Sequence, residues 1–224
     1  MGLESTIPED LMGKISVIIR NKNEERWIGH AIQSCLDFFD DPEIIIVDNG
    51  STDASMQIVN EFCFSNIKTF QIKCYTPGKA LNYGVSKASN DIILILSAHS
   101  EIQKMIPIEE IKDYLKDNVA MFGKQTPVYR GRKISKRYVW SHFGDKPGFN
   151  MWSESEKRNF LHNAFCFYRK DVLLENPFDE KYPAKEERYW AAAMAEKGET
   201  YMYNPEIECK HHWTPNGATW KGIG

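Results

Sequence analysis

The sequence, 224 residues long, lacks the features of several common protein classes. No apolar run reaches the roughly 20 residues of a membrane-spanning helix, and no hydrophobic signal-peptide region opens the chain. Internal repeats and low-complexity linkers are also absent. We therefore expect one soluble, cytoplasmic domain over residues 1–224, with at most peripheral contact at the inner face of a membrane. A myristoylation-like spacing of Met1, Gly2 and Thr6 is too short and too common to change this expectation.

Cysteine and basic charge are both too scarce to define a protein class. The five cysteines are odd in number and scattered, and we expect them to be free, mostly buried thiols in a reducing compartment: Cys35, Cys63, Cys74, Cys166 and Cys209. A net charge of −3, without a zinc-finger or RNA-recognition signature, argues against a nucleic-acid partner. The oligomeric state is left open by the sequence.

Three short apolar runs are present, and each is followed by polar residues. Residues 14–19, 44–47 and 91–96 are predicted to be buried parallel strands, and helical patterns separate them. Such an order predicts a βαβαβ unit. The second run continues into Asp48-Asn-Gly-Ser-Thr-Asp53, which places two carboxylates beyond a strand end, where open α/β sheets bind ligands.

The second half of the chain is less regular. Residues 107–118 have the spacing of an exposed helix, and residues 119–123 are predicted to form a short strand. Residues 126–158 are irregular, aromatic and basic, with five cations close together: Arg130, Arg132, Lys133, Lys136 and Arg137. This segment is either a loop near a substrate or a solvated basic helix packed by its aromatic residues.

Several of these stretches resemble glycosyltransferase family 2. The similar segments are SVIIRNKNEERWIGHAI, EIIIVDNGSTD, PGKALNYGVSKASNDIILIL and KEERYWA, and the likeness as a whole covers roughly residues 14–213. The resemblance implies a GT-A fold: an α/β, Rossmann-like, mixed but mainly parallel sheet with helices on both faces. It also implies a nucleotide-binding half at about residues 14–100 and an acceptor-binding half at about residues 101–224.

The resemblance assigns the donor nucleotide to the first-strand loop and the second-strand acid. These residues are Arg20, Asn23, Glu24 and Asp48, whereas Asp53 is either a ligand contact or, the interpretation that we favour, a helix cap. Lys79 and Asn82 match a stretch in which a lysine could approach the diphosphate and an asparagine could orient the third-strand loop or the sugar. A surface lysine and a capping asparagine are the alternative.

Ser97-Ala98-His99 departs from the family pattern. Family members usually have Asp-x-Asp here, which holds manganese or magnesium, and serine and histidine are poorer ligands for such hard cations. Either His99 still ligates a divalent cation with Glu101 or a C-terminal histidine, or His99 itself donates to phosphate, or the site is inactive. A similar Ser-Ala-His occurs in rhamnosyltransferase-like members of the family, which disfavours the last possibility.

Four further positions follow from the resemblance. Glu187, in Glu186-Glu187-Arg188-x-Trp190, matches the acid that deprotonates the acceptor hydroxyl, with Glu186 in reserve. His162 and Asn163 are expected to face sugar hydroxyls, or Asn163 to build a turn. Because adjacent strand residues point to opposite faces, only one of the two C-terminal histidines, 211 and 212, can face a metal. We favour His212 as a ligand beside His99, with packing against Trp213 as the alternative.

Together these residues predict an inverting hexosyl- or deoxyhexosyltransferase. It would move a sugar from a nucleotide-sugar donor to a hydroxyl of a saccharide or lipid-linked acceptor, in surface polysaccharide biosynthesis. A different class of protein, a non-catalytic nucleotide-sugar or glycan-binding module on the same scaffold, is the alternative.

Overall fold

The computed structural model describes residues 14–133 and 138–220, with the side chains of residues 138 and 218 left aside. The myristoylation-like spacing at the N-terminus and the cations Lys136 and Arg137 therefore lie outside the described residues. Helices cover six segments: α1 (Ile28–Phe38), α2 (Ser55–Glu61), α3 (Pro77–Lys87), α4 (Ile108–Leu115), α5 (Lys170–Glu175) and α6 (Glu186–Glu196). No helix within the described ranges is long and apolar enough to cross a membrane.

The strands form one large sheet and one small hairpin. In chain order they are β1 (Ile15–Asn21), β2 (Glu43–Asp48), β3 (Ile67–Gln71), β4 (Ile92–Ser97), β5 (Ser100–Lys104), β6 (Ala120–Tyr129), β7 (Arg132–Lys133), β8 (Gly148–Phe149), β9 (Trp152–Ser153), β10 (Arg158–Asn159), β11 (Phe165–Arg169) and β12 (Tyr201–His212). The main path runs β3-β2-β1-β4-β11-β6-β12-β5, and β9 pairs with β10 separately.

Strand direction in this sheet decides where a ligand can bind. β1 is parallel to β2 and β4, and β6 is parallel to β12. Because β11 is antiparallel to both β4 and β6, these two strands run the same way. β1, β2, β4, β6 and β12 therefore all end at one edge, which we call the ligand edge, and ligands of open α/β sheets bind beyond such an edge.

Alternate side chains of the central strands pack into two separate hydrophobic cores, one on each face of the sheet. Ile18 of β1 packs with α3, α5 and α6 on one face of the sheet. Its neighbours Val17 and Ile19 pack with α1, α2 and α4 on the other face. This alternation explains why consecutive residues in the middle of these strands are mainly apolar, since each face is covered by helices. The mixed, mainly parallel sheet with helices on both faces confirms the predicted fold class.

Several predicted elements differ from the structure in extent. The third predicted strand is β4, the fourth strand of the structure. The sequence did not predict β3, because this edge strand is half-exposed and has no continuous apolar run. The strand predicted over residues 119–123 continues to Tyr129. The described parts of residues 126–158, which are 126–133 and 138–158, hold short strands and a 3-10 turn rather than a basic helix. All five cysteines are free, as predicted, although Cys63 and Cys74 are exposed.

Candidate active site

A cavity of about 570 Å³ lies at the ligand edge, beyond the ends of β1 and β4. One wall is formed by the start of α6, residues 183–188, and another by residues 97–99 between β4 and β5. The C-terminal strap, which we define as residues 213–220, contributes Asn216, Gly217 and Thr219 to the lining. The cavity thus collects polar groups from the first strand, the fourth strand and the end of the chain.

Arg20 and Glu186 form an ion pair across this cavity. Arg20 Nη1 lies 2.9 Å from Glu186 Oε1, and both residues line the cavity. Burial alone would lower the pKa of Arg20, but the charge of Glu186, its hydrogen bond, and the charges of Tyr75 and Glu187 together outweigh burial and raise the pKa. The guanidinium is therefore a permanent positive charge at the end of β1. The amide Nδ2 of Asn163 approaches the same carboxylate oxygen at 3.5 Å.

Glu187 lines the described cavity and has a raised pKa. The residue is 7% exposed, and burial raises its pKa to about 7 although Arg188 acts in the opposite direction. Arg188 contacts the Glu187 carboxylate and donates from Nη1 to the carbonyl oxygen of Leu161 at 2.6 Å. Glu187 therefore can accept a proton near neutral pH, as a general base must.

Arg188 is held by contacts on every side of its guanidinium. In addition to Glu187 and Leu161, Nε lies 3.7 Å from Glu156 Oε1, and the guanidinium lies 4.3 Å from the ring centre of Phe160. Arg188 is 3% exposed and lines the cavity. A residue fixed in this way also fixes the carboxylate that it contacts.

The turn from Ser97 to His99 places an imidazole next to a buried carboxylate. His99 Nδ1 lies 3.3 Å from Glu24 Oε1, within ion-pair distance but not aligned as a hydrogen bond. Thr214 of the strap donates to the same Glu24 oxygen at 3.0 Å. The other oxygen, Glu24 Oε2, is buried and has no hydrogen-bond partner among the described residues. Glu24 and His99, both predicted site residues, are therefore brought together.

The two C-terminal histidines point to different surroundings, and it is His211 that lines the cavity. Its ring centre lies 4.8 Å from that of His99, its Nδ1 is 2.9 Å from Gln125 Oε1, and its Nε2 is buried with no partner in the described part of the chain. His212 instead stacks on Trp27 and bonds Glu101 Oε2 at 2.9 Å. The preference for His212 is therefore corrected: β12 turns its neighbour toward the cavity.

Manganese or magnesium would need oxygen-rich ligands in this cavity. Among the described residues, no group of three histidine, cysteine, aspartate or glutamate side chains is arranged to hold a metal ion. The donors beside the Ser-Ala-His turn are one carboxylate, Glu24, and two imidazoles, His99 and His211, of which burial lowers the pKa of His211. This set does not fit a hard-cation site, for which carboxylate and carbonyl oxygens are the preferred ligands.

His162 and Asn163 line the cavity on the side of β11. His162 Nδ1 accepts a hydrogen bond from the backbone N–H of Ala164 at 3.2 Å, so its proton lies on Nε2. Burial, followed by the charges of Arg188 and Arg20, lowers the pKa of His162 well below its usual range. Asn163 Oδ1 accepts from the hydroxyl of Tyr168 at 2.5 Å, which orients its amide toward Glu186.

Three residues singled out from the sequence, which follow β1 or lie at and after the end of β2, are outside the cavity lining: Asn23, Asp48 and Asp53. Asp48 is buried and accepts hydrogen bonds from Asn21 Nδ2 and from the backbone and hydroxyl of Ser51. Asn23 accepts from the backbone N–H of Thr52, and Asp53 accepts from that of Ser55 at the start of α2. The cap interpretation of Asp53 agrees with this contact, whereas the Asp48 carboxylate supports the loop rather than lining the cavity.

Lys79 and Asn82 lie at a different place. They line a second cavity, of about 450 Å³, with residues of β3 and Glu180. Asn82 Nδ2 donates to the carbonyl oxygen of Phe178 at 2.8 Å, and its Oδ1 accepts from the Phe178 backbone N–H at 3.0 Å. Asn82 thus joins α3 to the loop before α6. The predicted approach of Lys79 to the diphosphate is not what the structure shows.

Sequence reasoning missed several cavity residues. Asn21, Tyr75, Arg188, Asn216 and Thr219 all line the cavity. Arg188 could have been found, because it lies inside the same short block as the predicted base. The strap residues could not, since they reach the cavity only through tertiary contacts, such as those of Asn216 Nδ2 with the carbonyl oxygens of Lys22 and Asn23.

Comparison with known proteins places the chain among sugar-transferring enzymes. The sequence pattern of Glycosyl transferase family 2 matches residues 16–175. The chain is 28% identical over 195 residues to the minor teichoic acid biosynthesis protein GgaA of Bacillus subtilis (strain 168), over 80% of this chain and 41% of that protein. It spans about a third of the length of other curated relatives that it matches.

Solved structures with the same fold include two ligand complexes. S. aureus TarS 1–349 in complex with UDP-GlcNAc has a TM-score of 0.66 at 18% identity, over 94% of this chain and 62% of that chain. The mannosyltransferase PcManGT from Pyrobaculum calidifontis, in complex with GDP-Man and Mn²⁺, has a TM-score of 0.68 at 16% identity, over 91% and 58% of the two chains. These likenesses confirm the GT-A fold. Since the matched pattern covers most of the chain, this protein belongs to glycosyltransferase family 2.

Proposed function

We propose that this chain is an inverting glycosyltransferase that moves a hexosyl or deoxyhexosyl group from a nucleotide diphosphate to an acceptor hydroxyl. The observation that carries the proposal is the buried Glu187 carboxylate with its raised pKa, which lies in the same cavity as Arg20 and His99. A base on one wall and cationic or hydrogen-bonding groups on another are what direct displacement at a sugar carbon requires.

The donor is assigned to the wall formed by β1 and by the turn after β4. In this proposal Arg20, Asn21 and Glu24 contact the nucleotide or its diphosphate, and His99 donates a hydrogen bond to a phosphate oxygen. Arg20 lies at 2.9 Å from Glu186, so its charge is held in place before the donor arrives. Such preorganised charge stabilises a leaving group without reorganisation during the reaction.

The transfer step is a single displacement. The acceptor hydroxyl oxygen forms a bond to the anomeric carbon while the bond from that carbon to the diphosphate oxygen breaks. The hydroxyl proton passes to Glu187, and the diphosphate leaves with the bonding electron pair and a negative charge that Arg20 and His99 stabilise. Glu186 remains paired with Arg20, and His162 and Asn163 orient the acceptor sugar. No step runs through a manganese or magnesium ion, because Glu24, His99 and His211 do not fit a hard cation.

The relatives suggest where to look for substrates. TarS has been solved with UDP-GlcNAc and PcManGT with GDP-Man, so uridine and guanosine diphosphate sugars are the first donors to test. GgaA is a teichoic acid biosynthesis protein, which supports an acceptor that is a surface polymer or its lipid-linked precursor.

Calorimetric titration with UDP, GDP, CMP and dTDP and their sugars, each with manganese and with chelator, tests the proposal. We expect one diphosphate to bind in both conditions, since protein side chains carry the neutralisation, and His99→Ala to weaken this binding. Binding that collapses in chelator would overturn the metal-free mechanism. Absence of binding to every nucleotide would instead favour a glycan-binding module on the same scaffold.

A further inference from the structure

Two exposed arginines lie flat on aromatic rings beside the cavity. The guanidinium carbon of Arg26 lies 4.8 Å from the ring centre of Trp27, and that of Arg130 lies 5.1 Å from the ring centre of Tyr129. The two pairs are more than one hundred residues apart in the sequence. Neither belongs to the cavity lining, and the proposed transfer step uses neither.

The chain near His212 joins these two pairs into one surface. Trp27 stacks on His212 with ring centres 4.0 Å apart, and its indole N–H donates to the carbonyl oxygen of Trp213 at 2.9 Å. The ring of Trp213 lies 5.6 Å from that of Tyr129, at an edge-to-face angle. We call Arg26, Trp27, Tyr129, Arg130 and Trp213 together the arginine–aromatic patch.

The patch lies at the ligand edge, where the cavity also opens. Tyr129 is the last residue of β6, and Trp213 directly follows β12, two strands that end at this edge. Trp213 is also the first residue of the C-terminal strap, whose Asn216 and Gly217 line the cavity. A ligand chain that leaves the cavity along the strap would therefore pass over the patch.

The arginines of the patch keep their charge available. Within residues 14–133 and 138–220, neither Arg26 nor Arg130 forms an ion pair with an acid, and the same holds for Arg132. Arg132 lies opposite Tyr129 in the backbone pairing of β6 with β7. Two acids lie nearby: Glu25 accepts from the backbone N–H of Ala54, and Glu101 is paired with His212 and Lys210. Arg26, Arg130 and Arg132 add three cations to this surface although the whole chain is slightly acidic.

We propose that the arginine–aromatic patch binds the phosphate groups of the acceptor, which we infer to be a phosphodiester-linked polymer. A guanidinium that rests on a ring is restricted in orientation and presents a planar fork of N–H donors, which matches two oxygens of one phosphate. Two such forks at separate points suit a chain with repeated phosphates. This inference rests on the proposed function, whose acceptor it specifies.

A membrane surface is a weaker match for the same residues. The interfacial aromatic residues of membrane proteins place a free ring face or edge among the lipid headgroups. Here Trp27 contacts both Arg26 and His212, and Tyr129 contacts both Arg130 and Trp213. Because these rings are already engaged by protein side chains, they orient the arginines rather than enter a lipid layer.

Fluorescence anisotropy with a labelled glycerol phosphate oligomer tests the proposal on the full chain. We expect the wild-type protein to bind the oligomer, more weakly as salt is raised, because the Debye length falls from about 10 Å at 0.1 M to about 3 Å at 1 M. Arg26→Gln and Arg130→Gln should each weaken binding about fivefold, as expected for an exposed charge pair. Arg158→Gln is the matched control, since Arg158 lies 4.9 Å from the ring centre of Tyr189 outside the patch.

Three results would overturn the proposal: equal binding by all variants, an equal loss in Arg158→Gln, or no oligomer binding by the wild type. Sedimentation with phosphatidylglycerol vesicles is the second arm, and patch-dependent vesicle binding without oligomer binding would identify a membrane contact instead. The nucleotide titration keeps the two proposals separate. A wild type that binds the oligomer but no nucleotide would refute the proposed transferase and leave the patch in place.

Discussion

At the scale of single residues, Glu187 and Arg188 show how the pKa of one buried carboxylate is set near neutral pH, as the proposed base requires. Burial raises the pKa of Glu187, and Arg188 limits that rise and holds the carboxylate in place. Arg188 in turn is fixed by Leu161, Glu156 and Phe160. An unsupported buried acid would stay protonated at neutral pH and could not accept a proton from an acceptor.

Glu187→Gln should lower turnover by about a thousandfold, the range that general base catalysis supplies, and leave donor affinity within about twofold. Release of nucleoside diphosphate from the donor identified by calorimetry measures the first quantity, and titration measures the second. Glu196→Gln, at an exposed acid on the other end of α6, is the control. Near wild-type turnover in Glu187→Gln would remove this carboxylate from the mechanism.

The same group should make stability depend on pH. Its folded-state pKa of about 7 lies above the ordinary value of 4.5, so the folded protein binds more protons than the unfolded chain between these values. The free energy of unfolding should therefore fall as pH rises from 4.5 to 8, by about 3 kcal/mol relative to Glu187→Gln. Urea unfolding of both proteins at several pH values checks this, and parallel curves would contradict it.

At the scale of elements, Asn82 connects α3 with the loop that leads to α6. Asn82→Ala removes both hydrogen bonds to the Phe178 backbone and should lower the free energy of unfolding by about 2 kcal/mol. Lys79→Ala, in the same helix and the same second cavity, should change it by less than about 0.5 kcal/mol. Denaturant unfolding compares the two variants. Equal effects of the two substitutions on the free energy of unfolding would mean that the Asn82 hydrogen bonds do not stabilise the fold.

Gly123 of β6 lies where three strands meet. A Cβ atom there would lie 2.5 Å from Phe165 Cδ1 on β11 and 2.8 Å from the carbonyl oxygen of Ile207 on β12. Gly123→Ala should therefore destabilise the protein by about 2 kcal/mol, because an aromatic ring and a backbone must both move. Gly144→Ala meets no atom within 4 Å and is the control in thermal unfolding. Equal stability of these two variants would show that the strands yield easily.

Elements with a strong local signal could be predicted from the sequence, and those set by tertiary contacts could not. β1, β2 and β4 were predicted as strands because each contains a short, mainly apolar run, as expected for strands that are covered on both faces. β3 was missed because it is an edge strand, and β6 was predicted too short because its second half alternates buried and half-buried residues. In the site, short motifs predicted Arg20, Glu187 and His99 as cavity candidates, but not which way each histidine of β12 faces.

At the scale of the whole molecule, the C-terminal strap joins the two ends of the described chain. Thr214 donates to Glu24, and Asn216 donates to Lys22 and Asn23, across about 190 residues of sequence. The buried ring of Trp220 packs against Trp140 and His211 and secures the far end of the strap. The part of the cavity that the strap lines therefore forms only after the strap has packed on the loop that follows β1.

Trp220→Ala should release this end of the strap. Removing a fully buried indole costs about 3 to 4 kcal/mol in comparable cores, and here part of the loss should be local. We expect faster proteolysis within residues 213–220 and weaker nucleotide binding, measured by limited digestion and calorimetry. Leu174→Ala, at an exposed apolar side chain on α5, is the control. Unchanged digestion in Trp220→Ala would show that the strap is held by its polar contacts alone.

The direction of the sheet also has a practical consequence for handling the protein. β1 begins at the edge opposite the cavity, whereas Trp220 is buried against the cavity wall. A purification tag, a fluorophore or a surface linker attached at the start of β1 would stand on the side of the sheet away from the cavity. The same attachment at Trp220 would disturb a ring that packs on the cavity residue His211, so immobilised assays of this protein should be anchored through the side where β1 begins.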